Sequence, residues 1–233
     1  MPVALTTGAS RGLGRATAHA LADRGWSLVA DARHEHDLVE AFRDLSDVVV
    51  IAGDVTNPAH RADLVAAVER LGRIDVLINN ASSLGPSPLP PLRDYALGDL
   101  RRVYETNVLA PLALIQLLAD QLIASGGAII NVSSDAAVEA YQGWGGYGSS
   151  KAALDQLTAV LGAEEIGLRC YAFDPGDMRT DMHQQAFPGE DISDRPEPET
   201  VVPALLRLID ERPASGRYRA ADLTPKSPME VTS

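Results

Sequence analysis

Residues 3–21 read VALTTGASRGLGRATAHAL. A short run suited to a strand passes through three glycines into a stretch whose apolar residues recur at helical spacing. Strand, glycine turn and helix, in that order, predict the opening unit of a parallel α/β sheet. Gly8 allows a tight turn, Gly12 lets the backbone approach a diphosphate, and Gly14 permits close helix–strand packing. The helix that follows offers unpaired N–H groups to an anion. The spacing is G-x-x-x-G-x-G, which a purely structural turn also satisfies when nothing else in the chain agrees.

The alternation continues. Strands are predicted at VALTT (3–7), SLVAD (27–31), VVVIAG (48–53), VLIN (76–79), AIINVS (128–133) and LRCYAF (168–173), with a fainter one at YRA (218–220). Helical patterns begin near Gly14, His36, Pro58, Leu97, Tyr147 and Glu199. Apolar strands without strict alternation, each followed by a crossover helix, predict a doubly wound parallel sheet covered on both faces. SSLGPSPLPPLRD (82–94) lies inside the alternation and reads as a loop, so residues 1–233 read as a single domain. Ligands of such sheets bind beyond the carboxyl ends of the strands, so motifs just after strands carry most weight.

Bulk properties narrow the function. The chain has 45% hydrophobic and 22% charged residues and a formal charge of -12. That balance fits a soluble globular protein and opposes nucleic acid, which needs a basic patch against its phosphates. The single Cys170 excludes an internal disulfide framework and reads as a buried strand thiol. No signal peptide is visible, and the apolar stretches read as too short and interrupted to span a bilayer. Cytoplasmic location, no membrane partner and no metal site are the expectations.

The end of the second strand reads ADAR (30–33). A carboxylate there accepts hydrogen bonds from the ribose of NAD, and an arginine grips the extra phosphate of NADP. Asp31 and Arg33 offer both, and Arg11 adds a cation nearby; NADP(H) is the favoured cofactor.

Chemistry enters at YGSSK (147–151), which holds one of only two lysines in the chain. Tyr147 and Lys151 share one face of a helix at i and i+4. A free phenol, with a pKa of about 10, is a poor acid or base at neutral pH, and a nearby ammonium lowers it. Ser133 and Ser134 end the fifth strand in NVSSD, with Ser134 thirteen residues before Tyr147.

TGASRGLG, NNA (79–81), Asn107, the Ser134–Tyr147–Lys151 spacing and PGDMRT (175–180) together resemble the short-chain dehydrogenase/reductase family. The motifs recur in that family's order over roughly residues 2–180. The resemblance implies a Rossmann-type sheet of about seven parallel strands. It also implies hydride transfer between a nicotinamide and a carbonyl or alcohol. By resemblance, Tyr147 is the general acid in reduction, Ser134 bonds the substrate oxygen, and Lys151 holds the nicotinamide ribose and lowers the tyrosine pKa. Asn107 would hold a water linking Lys151 to solvent. Thr7, Gly8, Ser10, Arg11, Gly12, Leu13 and Gly14 would line the diphosphate and adenosine end. Asp54 and Val55 match adenine-contacting positions, and Asn80 and Ala81 flank the cofactor. Pro175, Gly176, Met178 and Thr180 match the nicotinamide segment. The family's NAD-selecting acid falls at Ala32, while Arg33 matches its NADP-type arginine. A homodimer or homotetramer is the implied assembly.

Three departures stand out. Ser82 replaces the glycine of the family's NNAG, the stretch from Glu164 to Pro175 is about two residues short by comparison with that pattern, and the tail lacks the family's glycine pair. In YETNVLAPLALIQ, Pro111 has no N–H for the Asn107 carbonyl, which predicts a kink and a water-bonded carbonyl there. The segment 177–199 follows the sixth strand as a substrate lid, with Met178, Met182, His183 and Phe187 as wall candidates and Tyr141 and Trp144 at the mouth. Its acidity favours a small neutral or cationic carbonyl compound. Two alternatives stay open: reduction of a 3-oxoacyl thioester, and a non-catalytic NADP-binding regulator on the same fold.

Overall fold

A computed structural model describes residues 1–223. The tail departure therefore falls largely outside the described residues. Seven strands form one sheet: β1 (Val3–Thr6), β2 (Ser27–Ala32), β3 (Val48–Ala52), β4 (Val76–Asn79), β5 (Ala128–Val132), β6 (Arg169–Asp174) and β7 (Gly216–Arg219). Their order is β3-β2-β1-β4-β5-β6-β7, and every neighbouring pair is parallel. The predicted Rossmann-type architecture is the one observed.

Successive strand residues point to opposite faces, and each face has its own helices. Ala4, Leu28, Ile78, Ile130 and Phe173 pack with Leu13 and Leu21 of α1 (Gly12–Asp23), Leu38 and Phe42 of α2 (Glu35–Phe42) and Leu205 and Leu208 of a late helix, Val202–Glu211. Leu5, Val29, Leu77, Ile129 and Cys170 face the other way, against Leu64 and Val68 of α3 (Pro58–Leu71) and Leu114, Leu118 and Leu122 of a long central helix. Both faces are dry, which is why the strands read as continuous apolar runs.

The central helix corrects one expectation. α4 (Leu97–Tyr104) and α5 (Ala110–Ser125) join through a π-turn, Glu105–Leu109, in which Ala110 N–H reaches the Glu105 carbonyl. The wider turn relieves the clash between the Pro111 ring and the Asn107 carbonyl, so the helix continues through the proline. Leu97–Ser125 is thus one helix of 29 residues, with a hydropathy of 1.7 over its most apolar window, long and apolar enough to cross a membrane by length and composition. On sequence alone the apolar stretches read as too short and interrupted for that. Its apolar inner side covers the sheet.

α6 (Gly145–Glu164) carries Tyr147 and Lys151. α7 (Asp181–Ala186) is a short helix within the expected lid, capped by Thr180 Oγ1 accepting from His183 N–H. α8 (Val202–Glu211) and α9 (Ala220–Leu223) flank β7.

Candidate active site

The strand order turns back between β1 and β4, with β2 and β3 added on one side and β5 to β7 on the other, and a cavity of about 990 Å³ opens beyond the carboxyl ends of β1 and β4. That is the switch point where ligands of open α/β sheets bind. Gly8, Ser10, Arg11, Gly12, Leu13, Arg33, Asp54, Val55, Asn80, Ala81, Ser134, Tyr147, Lys151, Pro175, Gly176, Met178 and Thr180 all line this one cavity. Thr7, Gly14 and Asn107 do not; they stand behind its wall.

Thr7 builds the junction: its Oγ1 accepts the N–H groups of Asn80 (3.1 Å) and Ala81 (3.0 Å). Asn80 Nδ2 in turn donates to the carbonyls of Thr7 (2.9 Å) and Gly8 (3.0 Å), locking the glycine loop to the end of β4. Gly8 has φ of 65°, a left-handed conformation that favours glycine. A Cβ at Gly14 would collide with Asn80 Nδ2 and the Gly8 carbonyl, so this glycine serves close approach. α1 then begins without a side-chain cap or an acidic residue in its first turn. Its opening N–H groups lack side-chain partners beside the cavity, a donor set that fits a diphosphate.

At the adenosine end the sequence left two candidates, and the structure separates them. Asp31 is 1% exposed, and its Oδ1 lies 2.6 Å from His60 Nε2, itself buried on α3. Burial raises the Asp31 pKa, opposed by His60 and by the Gly8 N–H. A Cβ at Gly53 would collide with the His60 ring, so that glycine makes room for the pair. Arg33 stays exposed and lines the cavity with Arg11 and Arg15. Burial alone would raise the Asp54 pKa, yet hydrogen bonds from Thr56 and the charge of Arg33 hold it below the usual carboxylate range. His60 was not a sequence candidate; its contact with a residue 29 positions away needs the register of β2 against α3.

At the other end, Tyr147 is 8% exposed and Lys151 1%. The Lys151 ammonium donates to the Val132 carbonyl at 2.7 Å and sits 5.5 Å from the Tyr147 ring centroid. Burial lowers the Lys151 pKa from 10.5 to about 8, partly offset by Asp155. Burial likewise pushes the Tyr147 phenol well above its ordinary value, opposed by hydrogen bonding with Ser134 and Ser82. Desolvation thus acts on the phenol in the direction opposite to the lowering that a nearby ammonium favours. Ser134 Oγ donates to Asp135 Oδ1 at 3.0 Å while accepting from Ala136 N–H at 3.2 Å.

Asn107 is fully buried in the π-turn with its carboxamide completely engaged. Its oxygen accepts from Ser83 N–H (2.7 Å) and Ser82 Oγ (3.2 Å), and its nitrogen donates to Ser83 O (2.9 Å) and Ser150 Oγ (2.9 Å). The Ser150 hydroxyl passes its own proton to the Tyr147 carbonyl at 2.6 Å. Asn107 thus ties the loop after β4 to the helix of Tyr147.

The substrate side is apolar. Leu84, Ala136, Tyr147 and Ala186 form a cluster with Leu89, Trp144, Met182 and Phe187. Trp144, Met178, Met182 and His183 line the cavity, as expected. Phe187 stands behind them against the Trp144 ring (6.0 Å) and the His183 ring (4.9 Å). Tyr141 is a correction: it does not itself line the cavity, and its hydroxyl donates to Asp135, which does, at 2.9 Å. The Pro-rich loop contributes wall residues Leu84, Gly85 and Pro86, and Ser87 Oγ reaches the Gln185 carbonyl of α7 at 2.7 Å.

A doubly wound sheet, a glycine loop closing on an uncapped helix and a buried tyrosine–lysine pair in one cavity define a dinucleotide-dependent oxidoreductase. The short chain dehydrogenase family matches residues 2–191. Mouse sepiapterin reductase is 34% identical over 201 residues, covering 79% of this chain and 77% of that protein. Among solved structures, a short-chain dehydrogenase/reductase from Saccharomyces cerevisiae superposes with a TM-score of 0.86 at 26% identity, covering 97% of this chain and 100% of the other. An alcohol dehydrogenase from the archaeon Thermococcus sibiricus, complexed with 5-hydroxy-NADP, gives a TM-score of 0.82 at 26% identity, with 94% and 95% covered. The chain belongs to the short-chain dehydrogenase/reductase family, whose members bind a nicotinamide cofactor and act on small molecules.

Proposed function

We propose that this protein interconverts a small carbonyl compound and its alcohol with NADP(H), using Tyr147 as general acid and base. The observation that carries the reading is the convergence of Ser134, Tyr147 and Lys151 on the cavity that the glycine loop also lines. The bound nicotinamide supplies or accepts the hydride. Tyr147 gives its proton to the substrate oxygen in reduction and takes it back in oxidation. Ser134 turns its hydroxyl from Asp135 to that oxygen. Lys151, with a pKa lowered by burial to about 8, holds the ribose and replenishes the phenol's proton through a water at Asn107.

NADP(H) is favoured over NAD(H) because Asp31 is committed to His60, Ala32 carries no carboxylate, and Arg33 is exposed and lines the cavity. Arg11 is paired with Asp181 at 2.8 Å, but both are exposed, and such a pair yields readily to a phosphate. The apolar cluster around Trp144 and the acidic lid support a small neutral substrate over a 3-oxoacyl thioester on an acidic carrier. The reading includes one domain with a lid at 177–199, a cytoplasmic location and a homodimer or homotetramer. The test is NADPH and NADH oxidation against a panel of small ketones and aldehydes. Turnover with NADPH that falls by about 10²–10⁴-fold in Tyr147→Phe supports it. Tight NADPH binding without turnover of any carbonyl establishes the regulator instead.

A further inference from the structure

Behind the catalytic face, β7 supplies a side chain that none of the motifs contains. Arg217 lies beside Ala172 in the β6–β7 register, and its side chain is 25% exposed. Its Nη2 donates to the Ser134 carbonyl at 2.9 Å and to Asp174 Oδ2 at 2.8 Å, while Nε donates to Asp155 Oδ2 at 3.0 Å. Each acceptor belongs to a different part of the site. Ser134 ends β5. Asp155 lies one helical turn beyond Lys151 on α6, where its charge acts on that lysine. Asp174 ends β6, and its second oxygen accepts the Gly176 N–H at 3.0 Å, holding the turn into the predicted nicotinamide segment.

We propose that Arg217 is a positioning residue, whose guanidinium holds the Ser134 backbone, the Asp155 carboxylate and the Asp174–Gly176 turn in one arrangement. The geometry calls for arginine: the planar fork meets three acceptors in fixed directions, which a lysine ammonium cannot do with the same spread. The charges also balance locally: Asp155 and Asp174 both bind Arg217, and Asp155 also acts on Lys151. Loss of the guanidinium leaves two largely buried carboxylates without this cation and frees the Ser134 carbonyl and the Gly176 turn. Misplacement of this kind acts on the chemical step more than on substrate capture.

The inference rests on the roles proposed above for Ser134 and Lys151, so its test carries a readout independent of turnover. Arg217→Ala is expected to lower kcat by about 10–100-fold while the KM of the ketone changes less than about threefold. Guanidinium at millimolar concentration, supplied to the partly exposed gap, should restore part of kcat, and an equal concentration of sodium chloride should not. Amide exchange at Ala136 and Gly176 should quicken, with β1–β3 unchanged. If the wild-type protein turns over no carbonyl, the proposed function fails, and exchange still decides the role of Arg217. If Arg217→Ala does not fold, Arg217→Lys takes its place with the same readouts except rescue. A folded variant with kcat within about twofold of wild type, or with unaltered exchange at Gly176 where wild type has no turnover, overturns the proposal.

Discussion

The two ends of the cavity handle charge in opposite ways. At the adenosine end each carboxylate has a partner: Asp31 has His60, although burial still raises its pKa, and Asp54, with Thr56 and Arg33, is held below the usual range. At the catalytic end, a phenol and an ammonium are both pushed towards their neutral forms by burial. Charges near solvent with their partners in place, like that of Asp54, cost little. Buried and poorly compensated ones sit near a proton-transfer threshold, and they cost stability. One cavity therefore separates gripping from reacting along its length.

The largest expected effect breaks the catalytic end. Lys151→Met should lower kcat/KM by about 10²-fold or more and yet stabilise the fold at neutral pH. The drop in pKa from 10.5 to about 8 corresponds to roughly 3 kcal/mol of destabilisation while the lysine must be charged. Part of that is offset by the bond to Val132, so the melting temperature should rise by roughly 2–5 °C at pH 7. The sign follows from proton binding. Between the two pKa values the unfolded chain holds more protons than the folded one, so wild-type stability rises with pH from about 8 to 10.5. The advantage of the methionine variant should shrink over that window in melting curves. A gain independent of pH would show that Lys151 is not strained.

The adenosine end is broken by Arg33→Ala, which should weaken NADPH binding by about 10–100-fold and leave NADH within a few-fold, measured by fluorescence titration. Equal losses for both cofactors would remove Arg33 from phosphate recognition. The smallest effect belongs to Ser82, whose hydroxyl lies between Asn107 and Tyr147. Ser82→Gly restores the family's usual residue and removes one bond that opposes the upward shift of the phenol. The acid limb of the oxidation profile, where rate rises as the phenol ionises, should move up in pH with about a threefold loss of rate at pH 8. A limb that moves down would mean that Ser82 accepts from the phenol and favours its neutral form.

The same contrast explains what could be read from the chain. The five inner strands were legible because both of their faces are dry, which leaves unbroken apolar runs; edge strand β3 showed through its β-branched residues, and β7, GRYR at the other edge, gave only a faint signal. The glycine loop and the Tyr147–Lys151 pair were legible because each is local, set by one turn or one helical repeat. Contacts set by sheet order were not: His60 with Asp31, Arg217 with Ser134, Ser82 with Asn107. The π-turn also escaped, since a proline in sequence marks a broken ladder without saying whether the helix ends or widens. α7 has only six residues, too few for a periodic pattern. The burial of the Tyr147 phenol was hidden for a different reason: spacing reports the neighbour, and only the packed fold reports the desolvation.

Cys170 has a consequence outside catalysis. It is the chain's single cysteine, fully buried in β6 with its thiol pushed up to about 11 by burial. Thiolate is scarce and reagent has no access while the sheet is intact. Its modification by an aromatic disulfide thus times the opening of the central sheet, giving this protein an intrinsic clock for unfolding that requires no added label.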